Sequence, residues 1–177
     1  TDYLESTDFR FDLVDVRLHH NLFDASQDEQ FDLRTIFEGT LVKNHPDSAV
    51  TFVDNHDTQR GQALESTIAE WFKPAAYALI LLRQTGLPCV FYGDYYGISG
   101  EFAQESFKDV INRLLLLRQT VVYGEEADYF FGLVQFGNEK NVDKREYLLR
   151  KLLAARASKQ EYALQDSALQ FFSKWYY

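Results

Sequence analysis

Polar side chains of the kinds used in catalysis follow one short apolar run. Residues 49–53 (AVTFV) are apolar and β-prone, and the polar residues just after them are Asp54, Asn55, His56, Asp57 and Gln59. Carboxylates and an imidazole at the end of a buried strand are costly to desolvate unless a ligand or a hydrogen-bond network uses them. In α/β barrels, strand ends of this kind carry the catalytic groups. The alternative is a strand-end turn in which Asp and Asn side chains bond the nearby backbone and cap the next helix.

The surrounding pattern predicts three strand-then-helix units. Strands are predicted at 11–18, 49–53 and 87–92, and helices within 21–42, 65–85 and 107–118. Pro74 predicts a kink or a short opening helix in the second helical window, and Gly86 is expected to end that helix. Successive units of this kind predict parallel strands joined by right-handed crossovers. The predicted fold class is therefore α/β. Because a complete (β/α)8 barrel needs about 250 residues, the three units amount to less than half of one.

Composition restricts the classes of partner. The chain has 177 residues and a formal charge of −9, which argues against nucleic acid, since phosphate binding calls for basic patches. No apolar run reaches the length of a membrane span. The single cysteine, Cys89, excludes an internal disulfide, fits a reducing compartment such as the cytoplasm, and is expected to be a small buried hydrophobe. The chain begins at Thr1 and has no methionine, so we expect its natural start to be missing.

The last part of the chain has a different composition. Residues 138–177 contain no glycine or proline and are rich in helix-forming residues, with eight basic and five acidic side chains. This shift predicts a boundary followed by an amphipathic helical tail. Packing of that helix on the rest of the chain is the favoured interpretation, and a membrane-surface or partner-helix role remains open.

Several motifs together resemble the α-amylase family of glycoside hydrolases, particularly its bacterial liquefying and intracellular members. They occur in the family's order and spacing, at residues 15–21 (DVRLHHN), 31–42 (FDLRTIFEGTLV), 52–57 (FVDNHD), 61–67 (GQALEST), 71–74 (WFKP) and 90–94 (VFYGD). The resemblance implies that residues 1–122 form strands six to eight of a (β/α)8 barrel with their helices. Residues 123–137 would begin the transition to the family's C-terminal β domain, and the tail at 138–177 departs from the family.

The resemblance also implies roles for the polar cluster. Asp57 would stabilise the transition state, His56 would contact the sugar, and Gln59 would form a polar wall of the same cleft. The implied reaction is hydrolysis of internal α-1,4 bonds in α-glucans with retention of configuration, which needs a nucleophile and a general acid as well. In the family these two carboxylates lie upstream of the matched strands. Asp12, in a short imitation of the family's nucleophile motif, lies too close in sequence to Asp57 to be one of them.

We therefore expect this chain alone to be inactive. The alternative function is a non-catalytic carbohydrate-binding or protein-interaction fragment. Self-association is also expected to be possible, because a partial barrel exposes strand edges.

No metal or other cofactor is expected in this fragment, although the family often binds calcium. The loop around Gln30 and Phe31 could offer carbonyl oxygens, but calcium needs six to eight oxygen ligands, and the family's acidic ligands are not recognisable after Phe130. His19 and His20 suggest a transition-metal pair. Adjacent residues on a strand, however, point to opposite faces, so one of the two is expected to pack and the other to face the cleft or solvent.

Overall fold

Three short parallel strands form the sheet that positions the candidate site. The structure is a computed structural model that describes residues 2–28 and 30–122. The strands are β1 (Leu13–Val14), β2 (Ala49–Phe52) and β3 (Leu87–Cys89), hydrogen-bonded in the order β1-β2-β3 with both neighbouring pairs parallel. The predicted α/β class and the parallel strands are confirmed. Membership of these strands in a larger barrel stays a prediction.

Helices of very different lengths connect the strands. They are α1 (Asp2–Ser6), α2 (Val16–Gln27), α3 (Leu41–Asn44), α4 (Lys73–Leu81), α5 (Tyr92–Tyr96) and α6 (Lys108–Val121), with single 3-10 turns at Leu33–Thr35 and Pro46–Ser48. Helix α4 contacts both β2 and α6. The apolar side chains with 1% exposure or less that form the core are Leu4, Leu18, Leu22, Ile36, Val53, Ile68, Ala76, Tyr77, Ile80, Leu81, Ile111 and Leu114.

The first predicted strand, at 11–18, was wrong over most of its length. β1 covers two residues, and α2 begins at Val16 because Asp15 caps it. The Asp15 carboxylate accepts from Leu18 N at 3.1 Å and from Val42 N at 2.7 Å. The first of these bonds satisfies an N–H that the helix leaves unpaired, which favours a helix here over an extended strand.

The predicted helices within 21–42 and 65–85 are shorter than expected. In the first window, residues 21–27 complete α2, and the buried Ile36 lies in a turn before the short α3. In the second, Pro74 occupies the first turn of α4, where its missing N–H costs no hydrogen bond, so the helix opens there and not at residue 65. It ends at Leu81, before Gly86. Gly86 has φ +78°, and a Cβ there would lie 2.8 Å from Cγ2 of Val42, so a close approach requires this glycine.

The third strand, predicted at 87–92, is shorter than expected, and the prediction that Cys89 is a buried hydrophobe was wrong. β3 ends at Cys89, and both Leu87 and Cys89 are exposed, because β3 lies at the edge of the described sheet. The third helix, predicted at 107–118, is confirmed as α6. No helix in the described residues is long and apolar enough to cross a membrane. The predictions for 123–137 and 138–177 lie outside the described residues.

Candidate active-site edge

The polar run after β2 forms a turn that is closed by two of its own side chains. The Asn55 side-chain oxygen accepts from Asp57 N at 2.8 Å and from Thr58 N at 3.0 Å. In return, Asn55 N donates to the Thr58 hydroxyl at 3.0 Å. This reciprocal arrangement is the one that a capping box uses to satisfy free N–H groups. The turn therefore keeps its shape without using the side chains of His56 or Asp57.

His56 and Asp57 both extend into solvent. Their side chains are 81% and 55% exposed, and His56 Nε2 lies 3.4 Å from an Asp57 carboxylate oxygen. Gln59 is partly exposed, and its backbone N–H donates to Asn55 O at 3.2 Å within the same turn. Asn55 thus fits the alternative of a strand-end turn in which a side chain bonds the nearby backbone. His56 and Asp57, in contrast, are accessible to a ligand.

Asp54 is turned inward and takes part in a buried ionic network. Lys73, 1% exposed, lies between Asp54, 2% exposed, and Asp94, which is fully buried on α5. Its ammonium lies 2.8 Å from Oδ2 of Asp54, an ion pair without hydrogen-bond geometry, and it donates to Oδ1 of Asp94. Because burial outweighs the attraction of Lys73, the pKa of Asp54 rises to about 6.

Further polar groups complete this network. Tyr77 donates to Asp94 Oδ2 at 2.6 Å, and the Gln104 amide accepts from Lys73 at 2.7 Å and donates to Asp94 at 2.8 Å. Burial and the Asp94 charge hold the pKa of Tyr77 well above its usual value. The network ties the end of β2 to α4, α5 and the loop that contains Gln104. This network is not among the features predicted from the sequence, although a lysine inside the apolar window 65–85 was a usable signal, since lysine is almost never fully buried unless paired.

His19 is buried beside the end of β2 and bonds the segment that follows this strand. It lies on α2, not on a strand, with 1% exposure, while His20 is exposed, so one packs and one faces solvent as expected. His19 Nδ1 lies 2.7 Å from Val53 O and must donate, because a carbonyl only accepts. Its Nε2 lies 2.8 Å from the Ser66 hydroxyl, and burial lowers the pKa of the ring. His19 thereby holds both ends of the segment that contains His56 and Asp57.

Asp12 lies at the opposite end of the strands from the candidate site, where β1 begins. It directly precedes β1 and is exposed, whereas Asp57 follows the carboxyl end of the parallel strand β2. The two carboxylates therefore lie at opposite ends of the parallel strands. This agrees with the rejection of Asp12 as a reacting carboxylate beside Asp57.

The loop with the expected carbonyl oxygens begins with a turn closed by Asp28. Asp28 accepts from Gln30 N at 2.8 Å through its carboxylate and from Phe31 N at 3.0 Å through its carbonyl, so both oxygens serve the turn. Within 2–28 and 30–122, no group of three or more His, Cys, Asp or Glu side chains could hold a metal ion. The expectation that this fragment holds no metal or other cofactor stays a prediction.

Comparison with known proteins identifies the origin of this arrangement. No protein-family model matches the chain. It is 50% identical over 129 residues to a glucan 1,4-alpha-maltohexaosidase of Bacillus sp. (strain 707), and 50% identical over 129 residues to an alpha-amylase of Geobacillus stearothermophilus. It is 39% identical over 138 residues to the cytoplasmic alpha-amylase of Escherichia coli (strain K12).

These matches cover 72% of this chain but only 25%, 23% and 28% of the three relatives, so the chain spans about a quarter of their length. The predicted resemblance is confirmed: the chain carries a segment of the α-amylase family.

Proposed function

We propose that this chain is the part of an α-amylase-type glycoside hydrolase that binds α-glucan at the carboxyl edge of its sheet. Asp57 stabilises the transition state, His56 contacts a sugar hydroxyl, and Gln59 borders the same cleft. The observation that carries the proposal is the exposed His56–Asp57 pair, presented by a turn that needs neither side chain for its own hydrogen bonds. The relatives, named as amylases and a maltohexaosidase, supply the substrate class.

The chemistry follows from the charge of the reacting sugar. Cleavage of a glycosidic bond passes through an oxocarbenium-like transition state with positive charge near the anomeric carbon. An exposed carboxylate stabilises that charge and accepts hydrogen bonds from sugar hydroxyls in the ground state. His56, which directly precedes Asp57 in the sequence, donates a hydrogen bond to a sugar hydroxyl. β1 to β3 are proposed to be strands six to eight of the barrel that supports this site.

The chain alone is proposed to bind without hydrolysing. Retention of configuration requires a nucleophile and an acid whose carboxyl groups lie about 5–5.5 Å apart. The three aspartates that most closely follow strand ends, Asp15, Asp54 and Asp94, are buried and bonded to backbone or to Lys73. They are unsuited to attack a sugar, so these three described aspartates do not supply the reacting pair, and Asp57 is left in the role of the stabilising carboxylate.

The remaining properties complete the proposal. The partner is an α-glucan and neither nucleic acid nor a membrane, no calcium is needed by this segment, and exposed sheet edges permit self-association. The protein is proposed to act in the cytoplasm, on the basis of its single cysteine and its likeness to a relative named cytoplasmic. Fractionation of the source cells with an antibody against the chain tests the location.

Calorimetric titration of the full chain with maltohexaose tests the function. Binding that weakens at least about tenfold in Asp57→Asn and in His56→Ala supports the proposal, because hydrogen bonds to charged groups contribute this much. Asp12→Asn is the matched control, since it removes an exposed carboxylate from the opposite edge and should leave binding unchanged.

Release of reducing ends from starch is measured in parallel. Turnover that Asp57→Asn abolishes would show that the chain is itself competent and that the reacting carboxylates were misplaced. Absence of maltohexaose binding, or equal binding by all variants, would overturn the proposed site.

A further inference from the structure

A short hairpin after β3 is anchored to the buried network described above. Ile98 and Gln104 exchange two backbone hydrogen bonds, each 2.9 Å long, and form an antiparallel bridge. The Gln104 side chain bonds both Lys73 and Asp94. The residues between the two bridge positions are therefore anchored, through Gln104, to the buried network of Lys73 and Asp94.

This hairpin presents one aromatic ring, Phe102. The side chain is 45% exposed, although a phenyl ring of this size is normally buried. One side of the ring lies against Gly61, where a Cβ would come within 2.4 Å of the ring carbon Cε2. Gly61 also has φ +80°, and its N–H donates to the Glu65 carboxylate at 2.8 Å. The hydrogen bond to Glu65 fixes Gly61, the contact with Gly61 positions the ring, and nearly half of the surface of Phe102 stays open.

The Phe102–Gly61 contact joins the loops that follow β2 and β3. Gly61 lies four residues after Asp57, so the two residues are at most about 14 Å apart even in an extended chain. Turn hydrogen bonds from Gln59 N to Asn55 O and from Gln62 N to Gln59 O shorten this path. The ring thus lies within reach of an oligosaccharide of a few sugar units, one of which contacts His56 and Asp57.

We propose that Phe102 is a stacking platform for one glucose ring of the bound α-glucan, adjacent to the sugar held by His56 and Asp57. The inference rests on the proposed function. The C–H face of a pyranose is apolar and packs on an aromatic face, which removes apolar area from water on both sides. Because the hairpin and Gly61 already fix the ring, little conformational entropy is lost on binding. Phe102 is thereby a specificity residue that favours a chain of several glucose units over a single one.

Substitution at Phe102 tests the platform in the full chain. Phe102→Ala is expected to raise the Kd for maltohexaose about tenfold, whereas Phe102→Trp retains or improves binding. Phe102→Leu keeps an apolar contact with Gly61 but lacks an aromatic face, so it should weaken binding as Ala does. Phe11→Ala is the control: Phe11 is a ring of similar exposure, 53%, just before β1 at the opposite end of the strands, and its loss should not change the Kd. Ring-current shifts of maltohexaose C–H protons, present in the wild type and absent in Phe102→Leu, report the stacking directly.

Each outcome decides between the two proposals. If the wild type binds maltohexaose and both Phe102→Leu and Phe102→Trp bind equally well, the platform is refuted while the His56–Asp57 site stands. If the wild type does not bind at all, both are refuted. If Phe102→Ala does not fold, as judged by circular dichroism, the comparison of Leu with Trp gives the answer.

Discussion

Replacement of Lys73 by methionine tests the buried network that organises the strand ends. The substitution keeps an unbranched side chain but removes the charge that lies between Asp54 and Asp94, both at least 98% buried. Removal of one partner from a buried ion pair costs about 3–5 kcal/mol, because the other charge stays buried without compensation. We expect the lower part of this range, since Asp94 keeps its bonds to Tyr77 and Gln104.

The effect is measured by urea unfolding followed by tryptophan fluorescence. With a typical dependence of about 1–3 kcal/mol per molar urea, the midpoint of Lys73→Met should fall by about 1–3 M at pH 7. A loss of this size is about a fifth to three fifths of the stability of a typical domain, about 5–15 kcal/mol. Lys43→Met is the matched control, because Lys43 is exposed, and its midpoint should remain close to that of the wild type.

The pH dependence gives a second, independent check. Lys73 carries one positive charge between two carboxylates, so the network holds a net negative charge unless one acid takes up a proton. The pKa of Asp54 is already about 6 with Lys73 present, and loss of the ammonium raises it further. At pH 5 Asp54 is protonated and needs no counter-charge, so Lys73→Met should lose less stability there than at pH 7. A loss below about 1 kcal/mol at pH 7, or the same loss at both pH values, would refute this account.

Four further outcomes follow from the same contacts. Asp54→Asn should flatten the pH dependence of stability near pH 6. The pKa of Asp54 is raised in the folded state, and this stabilises the wild type below about pH 3.8. The contribution, about 3 kcal/mol, is lost as the pH rises through about 6. His19→Phe should remove an opposite trend, since the lowered pKa of His19 contributes stability above about pH 6.5 that is lost as the pH falls. Asp15→Ala should lower the free energy of unfolding by about 2–3 kcal/mol, because two N–H groups lose their acceptor; urea unfolding measures all three variants. Treatment with EDTA should leave the Tm of the wild type unchanged, and a fall in Tm would reveal a metal site.

Local sequence patterns predicted those elements in which the apolar residues serve only to bury one strand or one helix face. The apolar run of β2 and the helical spacing of Val110, Ile111 and Leu114 in α6 identified both elements, because burial of a strand or of a helix face requires such patterns. The alternation FDLVDVRL was misleading: Leu18 and Leu22 also fit a helix face, and the Asp15 cap decided in favour of the helix. A cap that also binds a backbone N–H 27 residues away cannot be read from periodicity.

The site shows the same limit in another form. The cluster at 54–59 was identifiable from its residue types, and the exposure of His56 and Asp57 agrees with the proposed roles. Which carboxylate would turn inward was not identifiable, because that depends on Lys73, a charged residue 19 positions further along the chain in a window otherwise typical of the core. Likewise, the close packing of the Phe102 ring depends on a glycine in a different loop. Local sequence determines which groups are available, and long-range pairing determines which of them remain free.

The buried aspartates explain how a sheet of such short strands can hold exposed functional groups. Asp15, Asp54 and Asp94 follow β1, β2 and β3 in turn; Asp15 bonds α3, and Asp54 and Asp94 both bond α4. Buried carboxylates accept several hydrogen bonds and fix the direction in which a loop leaves its strand. The desolvation cost of these acids is offset by the backbone N–H groups and the single lysine that they bind. Because loop direction is set below the surface, His56 and Asp57 need no structural partner, and a substrate can satisfy their hydrogen-bonding capacity.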